Sequence, residues 1–252
     1  MSKEDSMQTI SRAIQVLKAF SNEEKEHSLA SLHQKLGLSK SSLQRILNTL
    51  IQHGLLDKDE KRKTYQLGIE LYFLGHLVER NSHLMSIARP FMKELNDDLG
   101  ETISLNIIHQ KQRKCIGYLP SRHQLTTITY IGQYSPLFAG ASAKLLLAYL
   151  PGYEITSYLN ETYLEQITEK TIVDKDQLWS ELKEIRNQGY SISHGERIIG
   201  AFSISAPIKN RFNEVIASLS LAMPTSRVDE SETCTLINKL VNTSNLISDE
   251  LR

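Results

Sequence analysis

The sequence predicts a two-domain α+β protein, with an N-terminal winged helix-turn-helix and a C-terminal domain in which strands are interleaved with helices. Three observations support this fold class. The 252 residues suit two ordinary domains better than one. Residues 28–54 carry two short helix patterns joined by a tight turn at Gly37. From Gly100 onward, the spacing of apolar residues changes from the helical period to the alternation typical of strands.

Composition limits the kinds of site that the chain can hold. Its 29 Lys and Arg balance its 29 Asp and Glu, so any nucleic-acid site has to be a local patch. Cys115 and Cys234 lie far apart, which favours two free thiols over a disulfide framework or metal ligands. The N-terminus shows no apolar signal segment, and the run LLLAYL is too short to span a bilayer. We therefore expect a soluble cytoplasmic protein without a membrane segment.

The N-terminal helices are predicted from caps and apolar spacing. Ser28 and Ser39 stand where N-cap residues accept backbone N–H groups, and Gly37 permits the positive φ that ends the first of the two helices. The next helix ends at Gly54. A leading helix, TISRAIQVLKAF, precedes them. Its predicted inward face comprises Ile10, Ala13, Ile14, Leu17 and Phe20, and that of the helix after Ser39 comprises Leu43, Ile46, Leu47, Leu50 and Ile51.

Polar side chains crowd the first turn of the helix after Ser39, on the side opposite its apolar stripe. Arg can bind guanine and Gln can bind adenine through paired hydrogen bonds, so an exposed turn of this kind suits the major groove of double-stranded DNA. The following segment, LLDKDEKRKTYQL, predicts a β-hairpin wing with a basic tip. From His27 to Gln66, seven basic residues against three acids leave a local charge of +4. The candidate DNA-binding residues are Arg12, Ser28, Ser39, Lys40, Ser41, Ser42, Gln44, Arg45, Lys61, Arg62 and Lys63.

The remainder of the chain divides into a connector and a second domain. A long helical pattern runs from Gly68 to about Leu95, and Pro90 is placed to restart the helix as its first residue. Strands are predicted at 103–107, 115–119 and 126–131, then at 201–208 and 214–223 across a polar turn. Helices are predicted after SPLFAG, at 176–188 before Gly189, and from Asp229 onward. The predicted boundaries are 1–67 for the winged helix, 68–83 for the connector helix and 84–252 for the second domain.

Ordered segments along almost the whole chain resemble the IclR family of transcriptional regulators. They include SRAIQVLKAF, LASLHQKLGLSKSSLQRILNTLIQHGLL, YQLGIELYFLG, SPLFAGASAKLLLAYLP and IASLSLAMP. The resemblance implies a GAF-like effector-binding domain after the winged helix-turn-helix. It also implies a homodimer or homotetramer on palindromic operator DNA, controlled by a small-molecule effector, often a carboxylate. Repression is the commoner behaviour in the family, so we expect a repressor.

The resemblance also implies where the effector binds, between the helix after PLFAG and the C-terminal strands. Free N–H groups at the start of that helix would hold a carboxylate without any arginine. Many members have an acid where Ser193 stands and a cysteine where Ser203 stands, so we expect a more anionic or less hydroxylated ligand here. The implied pocket residues are Ala141, Ser142, Ser193, Ser203, Ser220 and Ala222.

Other functions fit the sequence less well. GASAK resembles a nucleophile elbow only loosely, because Lys144 stands where the second glycine is required. Ser193 and His194 are strand neighbours that point to opposite faces. Phosphate-binding glycine motifs and paired metal-ligating histidines are missing from the sequence, so we expect no enzyme, catalytic residue, metal or cofactor. A winged-helix protein–protein adaptor without DNA binding remains the alternative.

Overall fold

The computed structural model describes residues 7–127 and 129–252, and the chain forms two compact units. One unit ends at Ser82 and the other begins at His83. The first contains α1 (Gln8–Leu17), β1 (His27–Ser28), α2 (Leu29–Leu36), α3 (Lys40–Gln52), β2 (Leu56–Asp59), β3 (Thr64–Leu67) and α4 (Glu70–Asn81). The second contains α5 (His83–Leu99), β4 (Thr102–His109), β5 (Gln112–Leu119), β6 (Tyr134–Ser135), α6 (Ala141–Ala148), α7 (Gly152–Glu161), α8 (Lys175–Gln188), β7 (Ser191–His194), β8 (Ala201–Lys209), β9 (Val215–Pro224) and α9 (Thr233–Glu250).

The helix-turn-helix is confirmed, together with the local chemistry that predicts it. The Ser28 hydroxyl accepts the Ser31 N–H at 3.1 Å, and the Ser39 hydroxyl accepts the Ser42 N–H at 3.3 Å. Gly37 closes α2 with φ of 67°. The apolar stripe of α3 packs inward, with Leu43 and Leu47 fully buried. These caps satisfy N–H groups that the first turn of each helix would otherwise leave unpaired.

The wing is an antiparallel hairpin of β2 and β3, with β1 on the other side of β3. Its exit lies against the end of α3, where the Gly68 N–H donates to the Leu55 carbonyl at 2.9 Å. A Cβ on Gly68 would stand 2.1 Å from the Gly54 carbonyl oxygen. Residue 68 therefore has to be glycine for the wing to return to the helix.

The predicted inward face of α1 is wrong in part. Ile10 and Ile14 are exposed, whereas Val16, which the prediction omitted, is fully buried with Phe20. Ala13 and Leu17 pack at the margin of this core. The helix is short enough for both stripes to have helical spacing, and packing against α2 and α3 selects the one that contains Val16.

The long helical pattern after the wing is interrupted at a different residue from the one predicted. α4 ends before Ser82, and α5 then runs through Pro90 instead of starting there. The missing N–H of Pro90 would have bonded the Ser86 carbonyl within the helix. Pro90 is exposed, so water can reach its surroundings, and a helix can tolerate the residue there.

The second unit is built on a six-stranded antiparallel sheet of order β6-β5-β4-β9-β8-β7. One face packs on α5 and α9 through a core that includes Met92, Leu105, Ile204 and Leu240. A second apolar cluster joins α6, α7 and α8. Strand β8 contacts both α9 and α6, so the sheet is covered on both faces. The polar cavity described below lies between the sheet and the start of α6.

Several predicted elements of this unit are confirmed and one is wrong. Strands β4, β5, β8 and β9 and helices α6, α8 and α9 lie where expected, and Gly189 ends α8 with φ of 82°. The strand predicted over 126–131 is not formed by residues 126, 127 and 129–131, and Ile128 lies outside the described residues. Within 7–127 and 129–252, no helix is long and apolar enough to cross a bilayer.

Candidate functional site

The first turn of α3 presents a polar surface on the first unit. Lys40, Ser41 and Arg45 are exposed, while Ser42 and Gln44 are half-buried. The Gln44 amide donates to the Asn48 side-chain oxygen at 2.9 Å, which fixes Gln44 along the helix. Asn48 is exposed one turn further on and was missed, although its i+4 spacing from Gln44 could have indicated it. The cap serines Ser28 and Ser39 already use their oxygens within the fold.

The basic patch is smaller than the local count of +4 suggests, because acids before His27 take part. Lys35 pairs with Glu24, and Arg62 Nη1 lies 2.7 Å from Glu26 Oε1. Lys58 Nζ lies 2.8 Å from Glu60. Among the described residues, the cations of this region without an acidic partner are Lys40 and Arg45 on α3 and Lys61 and Lys63 at the wing tip. Arg12, on α1, is half-buried and has no ion pair with any described residue.

The wing tip is held by Asp59. Its carboxylate accepts the backbone N–H groups of Lys61 at 2.8 Å and Arg62 at 3.0 Å. The hydrogen bond from the Arg62 N–H is the main reason why the pKa of Asp59 lies below its ordinary value. This turn leaves the Lys61 and Lys63 side chains exposed at the tip.

The six implied pocket residues all line one cavity of the second unit. Strand pairing explains why they meet. Ser193, Ser203 and Ala222 are opposite one another across β7, β8 and β9, so they form one row on the sheet. Ser205, Ser220 and Ser104 form the next row, two residues along. Because strand side chains alternate with a period of two, both rows face the same side. Ala141 and Ser142 close the cavity from the start of α6.

Besides the N–H groups that the resemblance implies would hold a carboxylate, two arginines line the cavity, Arg113 and Arg197. Arg113 comes from β5 and is 2% exposed. Its Nε donates to Ser135 Oγ at 2.8 Å and its Nη1 to Asn106 Oδ1 at 2.9 Å, whereas its Nη2 is buried without a partner. Burial, reinforced by the neighbouring charge of Arg197, lowers the pKa of Arg113 to about 10.

The cavity also has an acid, although it does not come from position 193. Glu196, in the loop after β7, lines the cavity and accepts the Gly140 N–H at 3.0 Å. Its other oxygen pairs with Lys144, which is fully buried on α6 and also pairs with Glu181 of α8. The N–H of Gly140 is therefore occupied. The next three N–H groups, of residues 141–143, have no partner within the helix.

Some of the lining residues that were missed could have been predicted from the sequence, and others could not. Ser205 follows Ser203 by two positions on a predicted strand, so alternation could have indicated it. Arg113 stood just outside the strand predicted from Cys115, which hid its alternation with Cys115 and Gly117. Arg197 and Glu196 lie in a loop without regular spacing, and no sequence signal places them.

Two known domain families match the chain, one for each of its two units. The IclR helix-turn-helix domain matches residues 9–60, and the bacterial transcriptional regulator IclR C-terminal domain matches residues 76–249. The HTH-type transcriptional regulator XynR of Escherichia coli is 31% identical over 226 residues, which cover 90% of each chain. The HTH-type transcriptional repressor AllR of Escherichia coli is 26% identical over 97% of this chain and 88% of that protein.

A solved structure has the same fold over its whole length. An IclR homologue from Microbacterium hydrocarbonoxydans, complexed with 4-hydroxybenzoate, superposes with a TM-score of 0.86 at 21% identity and covers 97% of this chain and 99% of that one. The matched domains and relatives are DNA-binding transcriptional regulators and not enzymes. The chain therefore belongs to the IclR family of bacterial transcriptional regulators.

Proposed function

We propose that this regulator is a repressor that binds a palindromic operator through α3 and the wing, and that a small carboxylate controls its operator affinity. The observation that carries the DNA-binding part is the set of four cations without acidic partners, shared between the exposed turn of α3 and the wing tip. The name of AllR, a repressor, supports the sign of control. As a regulator of DNA, the protein would work in the cytoplasm.

In this proposal the two basic elements have different roles. Arg45 and Gln44, on the exposed side of α3, read base edges in the major groove. Lys61 and Lys63 bind phosphates beside the groove, since a wing tip reaches the backbone and not the bases. The complete proposed contact surface comprises Arg12, Ser28, Ser39, Lys40, Ser41, Ser42, Gln44, Arg45, Lys61, Arg62 and Lys63, with Asn48 added.

The effector is proposed to occupy the cavity between the sheet and α6. Its lining combines serine and threonine hydroxyls with arginine side chains, which are groups that bind a small polar molecule. The positive end of the α6 dipole and the two lining arginines favour a negative charge there. The homologue that binds 4-hydroxybenzoate, a small carboxylate, supports the same ligand class. The proposed ligand-binding residues are Ala141, Ser142, Ser193, Ser203, Ser220 and Ala222.

We further propose that α4 forms the contact with a second copy of the chain. None of its residues is buried, and Tyr72, Phe73, Leu74, Leu77 and Val78 are between 48% and 71% exposed. A contiguous apolar surface of this kind on a regulatory protein marks an interaction site. A two-fold pair of winged helices doubles the base contacts on a palindromic operator, so the expected partner of this surface is the α4 of a second copy. The assembly would be a homodimer, or a homotetramer built from two such pairs.

A salt titration tests DNA binding against the adaptor alternative. The intact protein would be titrated with an operator selected from random duplexes, at increasing salt. Phosphate contacts predict that log affinity falls steeply with log salt, by about 0.9 for each contact. A protein–protein adaptor would select no duplex and would show no such slope.

A second experiment tests the cavity. Small carboxylates that raise the melting temperature would be added to the protein–operator titration, alongside Ala141→Leu, which fills the cavity at the start of α6. We expect the variant to bind operator like the wild type but to lose its response to the carboxylate. A response that survives in Ala141→Leu would show that the effector binds elsewhere.

A further inference from the structure

Arg113 and Arg197 are two cations at one cavity, and neither has a carboxylate partner within the described chain. Glu196, the acid that lines the same cavity, is occupied by Lys144 and by the Gly140 N–H. Its backbone carbonyl accepts hydroxyl groups of Thr168 and Thr171, at 3.1 and 2.6 Å, so the loop that carries it is anchored. Glu196 is thus held toward α6 and is not free to neutralise either arginine.

The guanidinium of Arg113 is oriented before any ligand arrives. Ser135 and Asn106 hold its Nε and Nη1, and Asn106 is itself fixed by its amide, which donates to Ser104 and Ser220 at 3.2 Å each. The Ser220 hydroxyl is also 2.7 Å from that of Ser205. This buried network accounts for two of the three guanidinium nitrogens of Arg113 and leaves Nη2 without a partner. A buried unpaired donor is costly, so a fold that keeps one has a use for it.

Arg197 lines the same cavity and lies beside the start of α6. Its Nε lies 3.9 Å from the position that a Cβ on Gly140 would take. Burial lowers the pKa of Arg197, and its charge in turn depresses that of Arg113, so the two cations repel each other. An anion bound between them would remove this repulsion and pair the free Nη2.

The charge of the lining limits the charge of the ligand. Lys144 and its two carboxylate partners, Glu181 and Glu196, sum to one negative charge, so with the two arginines the cavity and its wall carry a single positive charge. One carboxylate balances it, whereas a dianion would place an excess negative charge in a poorly solvated site. Half of the other lining residues are serines and threonines, whose hydroxyls suit the uncharged remainder of a small molecule.

We propose that Arg113 and Arg197 together bind the carboxylate of the effector, and that this effector carries a single negative charge. This assignment rests on the proposed function of the cavity as the effector site. It shifts the ligand's charged end from the N–H groups of α6 to the arginine pair, and it makes Arg113 the main determinant of selectivity for acids.

Matched acid and amide pairs test the assignment on the intact protein. Acetate, lactate, benzoate and 4-hydroxybenzoate would each be compared with the corresponding amide, and with the dianion succinate, by calorimetry and thermal shift at constant ionic strength. We expect at least one monocarboxylate to bind, with its amide weaker by about tenfold or more. Arg113→Gln and Arg197→Gln should each weaken the acid by about tenfold and leave the amide unchanged.

Three variants serve as controls. Arg211→Gln removes an exposed arginine of the same unit and should leave acid binding unchanged. Ser135→Ala removes one tether but keeps the guanidinium, so it should cost less than Arg113→Gln. Arg113→Lys keeps the positive charge but lacks the paired N–H donors of the guanidinium. It replaces Arg113→Gln as the deciding variant if circular dichroism shows that Arg113→Gln is not folded.

The outcomes separate this inference from the proposed function. If an acid binds and Ala141→Leu abolishes binding while both arginine variants bind normally, the cavity is the site but the arginine pair is not. Equal affinity for acid and amide, or tighter binding of succinate than of every monocarboxylate, would overturn the assignment as well. If no acid binds although the operator does, the inference and the carboxylate effector both fail, and the DNA-binding function stands.

Discussion

At the scale of single residues, an acidic partner distinguishes cations that belong to the fold from cations that are available to DNA. Lys35 and Arg62 are tied to Glu24 and Glu26, two acids that precede β1. Arg45 has no acidic partner among the described residues and is exposed on α3. A paired cation must give up its acid, or bring that acid close to the phosphates, before it can contact DNA, whereas a free cation need not. Arg45 is therefore better suited than Arg62 to contact DNA.

Arg45→Ala is the first test at this scale. If Arg45 reads a base, the variant should lose about 1–3 kcal/mol of operator binding and discriminate less at one operator position. Fluorescence anisotropy with the selected operator and with a random duplex of equal length measures both. Equal losses on the two duplexes would make Arg45 a phosphate contact. Thr49→Ala, one turn further along α3, is the matched control for the helix itself.

The wing tip provides a sharper comparison, because its three consecutive cations differ in their partners. Lys61→Ala and Lys63→Ala should each reduce the slope of log affinity against log salt by about one, since each removes one phosphate contact. Arg62→Ala should change the slope less, because Glu26 already neutralises that guanidinium at 2.7 Å. Affinity measured at four or more salt concentrations gives the slopes. Equal slopes for all three variants would contradict the assignment.

At the scale of secondary structure, the sequence predicted helix ends better than helix faces. Ser28, Ser39, Gly37 and Gly189 act through their own backbone or a neighbouring N–H group, so local chemistry determines them. The buried face of α1 depends on α2 and α3, which local spacing does not include. The break at Ser82 and the irregular path of residues 126 and 127 likewise reflect the folded surroundings.

The same contrast holds for the cavity. The family resemblance implied Ser193, Ser203 and Ser220. Ser205 and Ser104 were missed, although they lie on the same rows and strand side chains alternate with a period of two. Arg113 was missed because its role depends on Asn106 and Ser135, which lie 7 and 22 residues away and meet it only through the pairing of the strands. Glu196 was missed for the same reason, because its partners Gly140 and Lys144 lie more than fifty residues away.

Helix α4 allows a prediction about assembly at this scale. Leu77→Asp places a charge within its exposed apolar surface, so we expect a lower oligomeric mass and weaker operator binding. Light scattering after size exclusion measures the mass over a range of concentrations. Arg80→Ala, on the same helix, is the control and should keep the wild-type mass. An unchanged mass for Leu77→Asp would mean that another surface holds the copies together.

At the scale of the whole molecule, a chain with no net charge presents unpaired cations at both of its proposed sites. One group lies on α3 and the wing of the first unit, and the other lines the cavity of the second. A neutral chain lowers non-specific attraction to nucleic acid, so affinity depends on the local surface of α3 and the wing. In the cavity Arg113 is buried and Arg197 is half-buried, which suits these cations to a small anion and not to a phosphate backbone.

Regulation requires that the two sites be coupled, and thermodynamic linkage makes that coupling measurable from either side. If a carboxylate changes operator affinity by a given factor, the operator must change carboxylate affinity by the same factor, typically between about 5 and 150. We expect the two factors to agree, whichever direction the effector acts. Operator titrations with and without saturating carboxylate give one factor, and calorimetry with and without operator gives the other.

In Arg113→Gln the carboxylate should bind weakly. At a saturating carboxylate concentration, however, the variant's operator affinity should change by the same factor as in the wild type, because the substitution affects how the ligand is held and not the two states it selects. A factor of one in the wild type would show that the cavity binds a ligand without regulating DNA binding.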